Sequence, residues 1–84
     1  MKNNIKIKKI INKYVAKGYK KDMNFKKSFN DSGIDSLKSV ELMDELENTF
    51  SIEFRDKDLG DKTFKSINNF IKVVNKTIDN EKKK

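Results

Sequence analysis

The chain has 84 residues, a net charge of +7, and neither histidine nor cysteine. Those two absences exclude a serine–histidine triad, a cysteine nucleophile, a disulfide and any thiolate or imidazole metal site. No apolar run approaches the ~20 residues that span a bilayer, and the basic N-terminus lacks the apolar stretch of a signal peptide, so a cytoplasmic protein is expected.

The first apolar stripe is Ile7, Ile10, Ile11, Tyr14 and Val15. Its i, i+3, i+4, i+7, i+8 spacing predicts an amphipathic helix with lysines on the other faces. Gly18 is the expected stop. Residues 18–35 show no sustained period and read as a long loop, pinned to the core by Phe25, Phe29 and Ile34. Loops of that length are uncommon and often functional.

The second helix is predicted from Ser36 to Phe50. Leu42, Leu46 and Phe50 stack at i, i+4 and i+8, with Met43 beside them. Ile52 and Phe54 follow in a short connection, and Asp56 to Gly60 predicts a single helical turn ending at the glycine. Thr63 or Ser66 is positioned to cap the last helix. That helix carries Ile67, Phe70, Ile71, Val74 and Ile78 on one face. Residues 79–84 read as a basic, frayed tail. The expected fold is all-α, a bundle of three main helices and one short one, in a single domain over residues 1–84. The absence of proline and the presence of only three glycines agree with helices rather than a turn-rich β scaffold.

The charge is unevenly spread. Residues 1–28 carry +9, residues 29–61 carry −7 and residues 62–84 carry +5. The acidic middle contains the second helix. On a wheel of 100° per residue, Leu42, Met43, Leu46 and Phe50 face the core, whereas Leu37 and Val40 fall outside that arc. Glu41, Asp44 and Glu47 surround them. Apolar contacts in an acidic setting suit a docking surface for a basic partner. Glu41–Asp44, Asp44–Glu47 and Glu41–Glu45 are like-charge neighbours, each costing a few tenths of a kcal/mol by analogy with measured helix pairs. A basic partner would relieve them. No carboxylate spacing matches a calcium loop, and no metal is expected.

Ser36 lies where the loop ends and this helix begins. Asp35 or Ser36 is suited to be an ordinary N-cap. The same place, with free N–H groups and the positive end of the helix dipole, also favours an attached phosphate. Gly33-Ile34-Asp35-Ser36-Leu37, followed by Val40-Glu41-Leu42, Leu46-Glu47 and Phe50-Ile52-Glu53, resembles the acyl carrier proteins. Matching features run from about residue 5 to residue 78.

The resemblance implies a four-helix bundle of carrier-protein type, with Ser36 bearing 4′-phosphopantetheine, derived from coenzyme A, through a phosphodiester. It implies a non-enzymatic, stand-alone, monomeric carrier. Such a carrier holds acyl groups as thioesters on the arm's terminal thiol for fatty-acid or polyketide-type synthesis. Its implied partners are a phosphopantetheinyl transferase and acyl-transferring, ligase or synthase enzymes with basic docking patches. Asp35, Leu37, Val40, Glu41, Asp44 and Glu47 match the partner-reading positions, although the family often has an apolar residue where Asp44 stands. Leu42, Leu46, Phe50, Ile67 and Ile71 would line the core where an acyl chain shelters. Ser32 departs from the family's usual leucine and implies looser loop packing. Lys38 replaces an acidic or neutral residue, and the lysine-rich flanks are foreign to the family's acidic balance.

Two alternatives stand beside this reading. An aminoacyl, D-alanyl or peptidyl carrier would keep the arm and change the cargo; Asp-Ser-Leu favours acyl cargo, because peptidyl carriers more often have histidine before the serine. A small basic helical module would instead use Lys6, Lys8, Lys9, Lys13 and Lys17 on nucleic-acid phosphates, but no aromatic stacking array or DNA-reading motif accompanies them.

Overall fold

A computed structural model describes residues 2–19, 24–55 and 59–82. Helix α1 spans Lys2–Tyr14, α2 Ser36–Phe50 and α3 Ile67–Lys82. Short 3-10 turns lie at Lys17–Tyr19, Asn30–Ser32 and Asp61–Phe64, and no strand occurs among the described residues.

The three apolar stripes meet in one core. Ile7, Ile10, Ile11 and Val15 pack with Leu42, Leu46 and Ile52, and with Ile67, Phe70, Ile71, Val74 and Ile78. Phe29 and Ile34 bring the long loop into the same cluster, with Phe25 half-buried at its edge. Helix α1 is rich in lysine and has no acid in its first turn, so the dipole gives its N-terminus no help. Its stability comes from burial: Ile7 and Ile11 are fully enclosed, each contributing about 1.5–3 kcal/mol.

The loop is held by backbone hydrogen bonds to the start of α3. The N–H of Ile67 donates to Lys27 O at 2.9 Å and that of Asn68 to Phe25 O at 2.8 Å. These satisfy donors that an isolated helix would leave open. The Asn69 N–H donates to Ser66 Oγ at 3.0 Å, so Ser66 caps α3. Thr63 serves the preceding turn instead, accepting from the Gly60 N–H at 3.1 Å.

Several boundaries differ from expectation. Helix α1 ends at Tyr14, before Gly18, which sits in the following 3-10 turn. The Val15 N–H bonds to Asn12 O at 3.3 Å, so the apolar stripe continues after the helix has tightened and stopped. Of the turn expected over 56–60, residues 56–58 lie outside the described residues. Gly60 is extended (φ −91°, ψ 176°) and precedes the turn Asp61–Phe64 rather than ending one. Helix α3 continues through Lys82, so residues 79–82 are helical; Thr77 and Ile78 are buried beneath its last turns and hold it down. Residues 83 and 84 lie outside the described residues. Ser32 does not loosen the loop: it is buried, and its hydroxyl donates to Ser28 O at 3.0 Å.

Glu45, expected only to repel Glu41, joins α2 to α1. Lys13 Nζ donates to its Oε2 at 2.6 Å and Tyr14 Oη to its Oε1 at 2.7 Å. The Lys13 hydrogen bond, then that of Tyr14, holds the Glu45 carboxyl below its usual range. The Glu45 hydrogen bond, with burial and the charges of Glu45, Glu41 and Asp44, pushes the Tyr14 phenol up to about 12. Glu45→Gln should therefore lose about 1 kcal/mol, since Lys13 is exposed and the pair is screened. Thermal melts at neutral pH would read this as a fall of about 5 °C. The depressed Glu45 contribution is present at neutral pH and is lost as pH falls through its folded value. The raised Tyr14 contribution is present below 10.0 and is lost as pH climbs toward about 12. A native chain no more pH-sensitive than Glu45→Gln in either range would contradict this assignment.

Candidate functional site

The turn Asn30–Ser32 delivers the chain to α2. Phe29 O accepts from the N–H groups of Ser32 at 3.0 Å and Ile34 at 2.9 Å, closing the turn on itself. Gly33 is left-handed (φ 75°, ψ 20°). A Cβ there would lie 2.6 Å from Ala16 Cβ and 2.9 Å from the Tyr19 ring. The segment that follows α1, Ala16 to Tyr19, therefore packs directly on this glycine, and only glycine fits both the angle and the space.

Asp35 is the N-cap of α2, with extended backbone, and Ser36 is the first helical residue. Asp35 Oδ1 accepts from the Lys38 N–H at 2.8 Å, and Asp35 O accepts from the Ser39 N–H at 2.9 Å. The Ser39 hydroxyl donates to Ser36 O at 2.8 Å. None of these bonds uses the Ser36 hydroxyl, which is exposed. At the first turn, the Ser36 and Leu37 N–H groups have no partner within the helix.

A cleft of about 380 Å³ opens beside Ser36, lined by Phe29, Asn30, Ile34, Asp35, Ser39 and Phe64. The hydroxyl thus stands at the rim of a half-apolar cleft, at the positive end of a 15-residue helix. A phosphate ester fits this corner, because the unpaired N–H groups and the dipole favour negative charge. The Asp35 carboxylate beside it is bonded through Oδ1 to the Lys38 N–H.

The exposed side of α2 matches the wheel in its first half. Leu37 is 69% exposed and Val40 50%, large values for apolar residues on a folded helix. Glu41 and Asp44 are also exposed, and among the described residues no lysine pairs with either. Glu47 differs. It is half-buried, and its Oε2 accepts from the Phe54 N–H at 2.9 Å. Its backbone oxygen also closes the helix end, accepting from the N–H groups of Ser51 and Ile52. This carboxylate holds the α2 end to the following segment, a contact that helical spacing alone does not reveal.

Leu42, Leu46 and Ile67 have no exposed surface, Ile71 is buried and Phe50 is half-buried. The open space beside Ser36 is bordered by other residues. Of these, Phe64 and Asn30 carried no signal in the sequence, because only the folded loop brings them to Ser36. Ser39 was recoverable in principle, standing one helical turn from Ser36.

The lysines of α1 do not form a free stripe. Lys6 Nζ lies 5.9 Å over the Phe50 ring and Lys8 Nζ 4.9 Å over that of Phe25, and Lys13 is bound to Glu45. Among the described residues no cluster of three acidic side chains is placed to hold a metal ion, and no helix is long and apolar enough to cross a membrane.

A family model described as a phosphopantetheine attachment site matches residues 18–74. The matched span contains the long loop, all of α2 and the first half of α3. No curated protein sequence matches the chain.

Proposed function

Because the chain belongs to the phosphopantetheine attachment family, whose members carry that group covalently, we propose that Ser36 is the attachment point and that the cargo is an acyl group of fatty-acid or polyketide-type synthesis. The domain is a carrier and not a catalyst. The observation that carries the residue assignment is the exposed hydroxyl of Ser36 at the first position of α2, beside the cleft. The arm, when bound, supplies a terminal thiol that holds the cargo as a thioester, which a chain without cysteine cannot supply itself.

Ser36 provides the oxygen for the new P–O bond. The pyrophosphate bond of coenzyme A breaks and the nucleotide portion leaves. The serine proton passes to a base on the transferase, since this chain has no histidine to take it. Leu37 and Val40 offer apolar contact, and Glu41 and Asp44 offer charge to a basic enzyme surface. Asp35 acts by holding the helix start, and Glu47 by holding the helix end. The reading is of a cytoplasmic monomer that meets each partner transiently.

Incubation with coenzyme A and a phosphopantetheinyl transferase should add a single phosphopantetheine by intact mass, and acyl ligases should then load it. Glu41→Lys should slow the addition by about tenfold, through a higher KM, as expected when one steering charge at a docking face is reversed. Its melting temperature should not change. Normal modification of Glu41→Lys would remove α2 from the docking surface, and no mass increase in the native chain would end the proposal.

A further inference from the structure

We propose that Phe70 closes the interior of this carrier to its cargo, so that it holds short or polar acyl groups at the cleft and does not bury long saturated chains between its helices. This rests on the reading of Ser36 as the attachment point.

Four rings from separate parts of the chain meet behind the cleft. Phe70 has no exposed surface. Its ring centroid lies 4.9 Å from that of Phe29 at an interplanar angle of 70°, and 6.0 Å from those of Phe64 and Phe54. Phe29 and Phe64 are themselves 5.1 Å apart, edge to face at 72°. These two rings line the cleft beside Ser36, and Phe70 backs them both. Leu42, Leu46, Ile67 and Val74 belong to the same core and have no exposed surface.

A chain entering from Ser36 meets Phe29 and Phe64 first. To pass, it must separate them from Phe70 and from each other. Ring contacts of this kind, edge to face for Phe29 with Phe64 and Phe70 and near-parallel for Phe64 with Phe70, add to the energy of burial, and a close-packed interior does not accommodate extra methylenes without strain. A further restraint acts on the backbone: the Phe29 N–H donates to Phe64 O at 3.2 Å, so the two cleft walls are tied together. The lining also includes the polar residues Asn30, Asp35 and Ser39, of which the Ser39 hydroxyl donates to Ser36 O and one Asp35 oxygen accepts from the Lys38 N–H. An apolar floor with a polar rim suits a small acyl group, or one bearing a hydroxyl or amine. Cargo of that kind includes the aminoacyl class, whereas a long alkyl chain would be left largely in water.

The test loads the full chain, through Ser36, with butanoyl, octanoyl or dodecanoyl groups from the corresponding acyl-coenzyme A. Intact mass is checked first: no addition at all defeats the attachment reading, and this inference with it. With addition confirmed, methyl and aromatic NMR shifts are compared. The three loaded forms should perturb Phe29, Phe64 and Ile34 alone, and should melt within about 1 °C of one another. Phe70→Ala removes the ring and leaves a cavity; its octanoyl form should shift the Leu42, Leu46 and Ile67 methyls and melt several degrees above its butanoyl form. If Phe70→Ala does not fold, Phe70→Leu serves for the same comparison. Chain-length-dependent shifts of Leu42, Leu46 and Ile67 in the native protein would overturn the proposal. So would a dodecanoyl form of the native protein that melts well above the butanoyl form.

Discussion

Ser36→Ala should take up no phosphopantetheine under conditions in which the native chain is fully modified, and should keep its fold. The loss is complete because the proposed attachment oxygen is gone. Stability should change by no more than about 0.5 kcal/mol, the usual range for an exposed site. The cap belongs to Asp35, whose carboxylate bonds the Lys38 N–H at 2.8 Å, and alanine is a good helix former at the first helical position. The informative control is Ser39→Ala. Its hydroxyl also lines the cleft, but it is committed to Ser36 O at 2.8 Å. Ser39→Ala should be modified normally. If Ser36→Ala were modified and Ser39→Ala were not, the attachment point would lie one turn further along α2.

The largest loss of stability should come from Gly33→Ala. A φ of 75° costs an L-residue about 1–2 kcal/mol. The added methyl would also lie 2.6 Å from Ala16 Cβ and 2.9 Å from the Tyr19 ring, and overpacking of this kind costs about 1–3 kcal/mol. Together these should lower the melting temperature by at least about 10 °C. Modification of Ser36 should slow as well, because the turn that orients Asp35 and Ser36 would shift away from Ala16 and Tyr19. Gly18→Ala is the natural comparison. Nothing lies within 4 Å of a Cβ at Gly18, and its φ is not positive. That variant should be neutral, or slightly stabilising through the unfolded chain. Equal effects at the two glycines would show that the packing at Gly33 does not matter to the fold.

The contrast between these glycines shows where the sequence stopped being legible. Gly18 follows an apolar stripe and looks like a helix stop, yet the helix has already ended at Tyr14. Gly33 looks like part of a short motif, and its importance comes from Ala16 and Tyr19, far away along the chain. Glu45 and Glu47 teach the same lesson. By spacing they are acids among acids on one helix. In the fold, Glu45 is claimed by Lys13 and Tyr14 of α1, and Glu47 by the backbone of Phe54. This leaves Glu41 and Asp44 as the carboxylates with no such tie, next to Leu37 and Val40.

The sequence by itself determined the three helical stripes and the segregation of charge, and narrowed the cap of α2 to Asp35 or Ser36. These are local properties: periodicity sets which face is buried, and capping chemistry sets where α2 begins. Membership in the phosphopantetheine attachment family was legible for the same reason, since Gly33 to Leu37 and the stripe after them are contiguous. What the tertiary structure alone decided is which residues share space with Ser36. The cleft walls, Phe29 and Phe64, and the ring of Phe70 behind them come from three segments that meet only when the long loop is fastened to α3. Contacts across such distances depend on how the stripes dock against one another, and no one stripe contains that information.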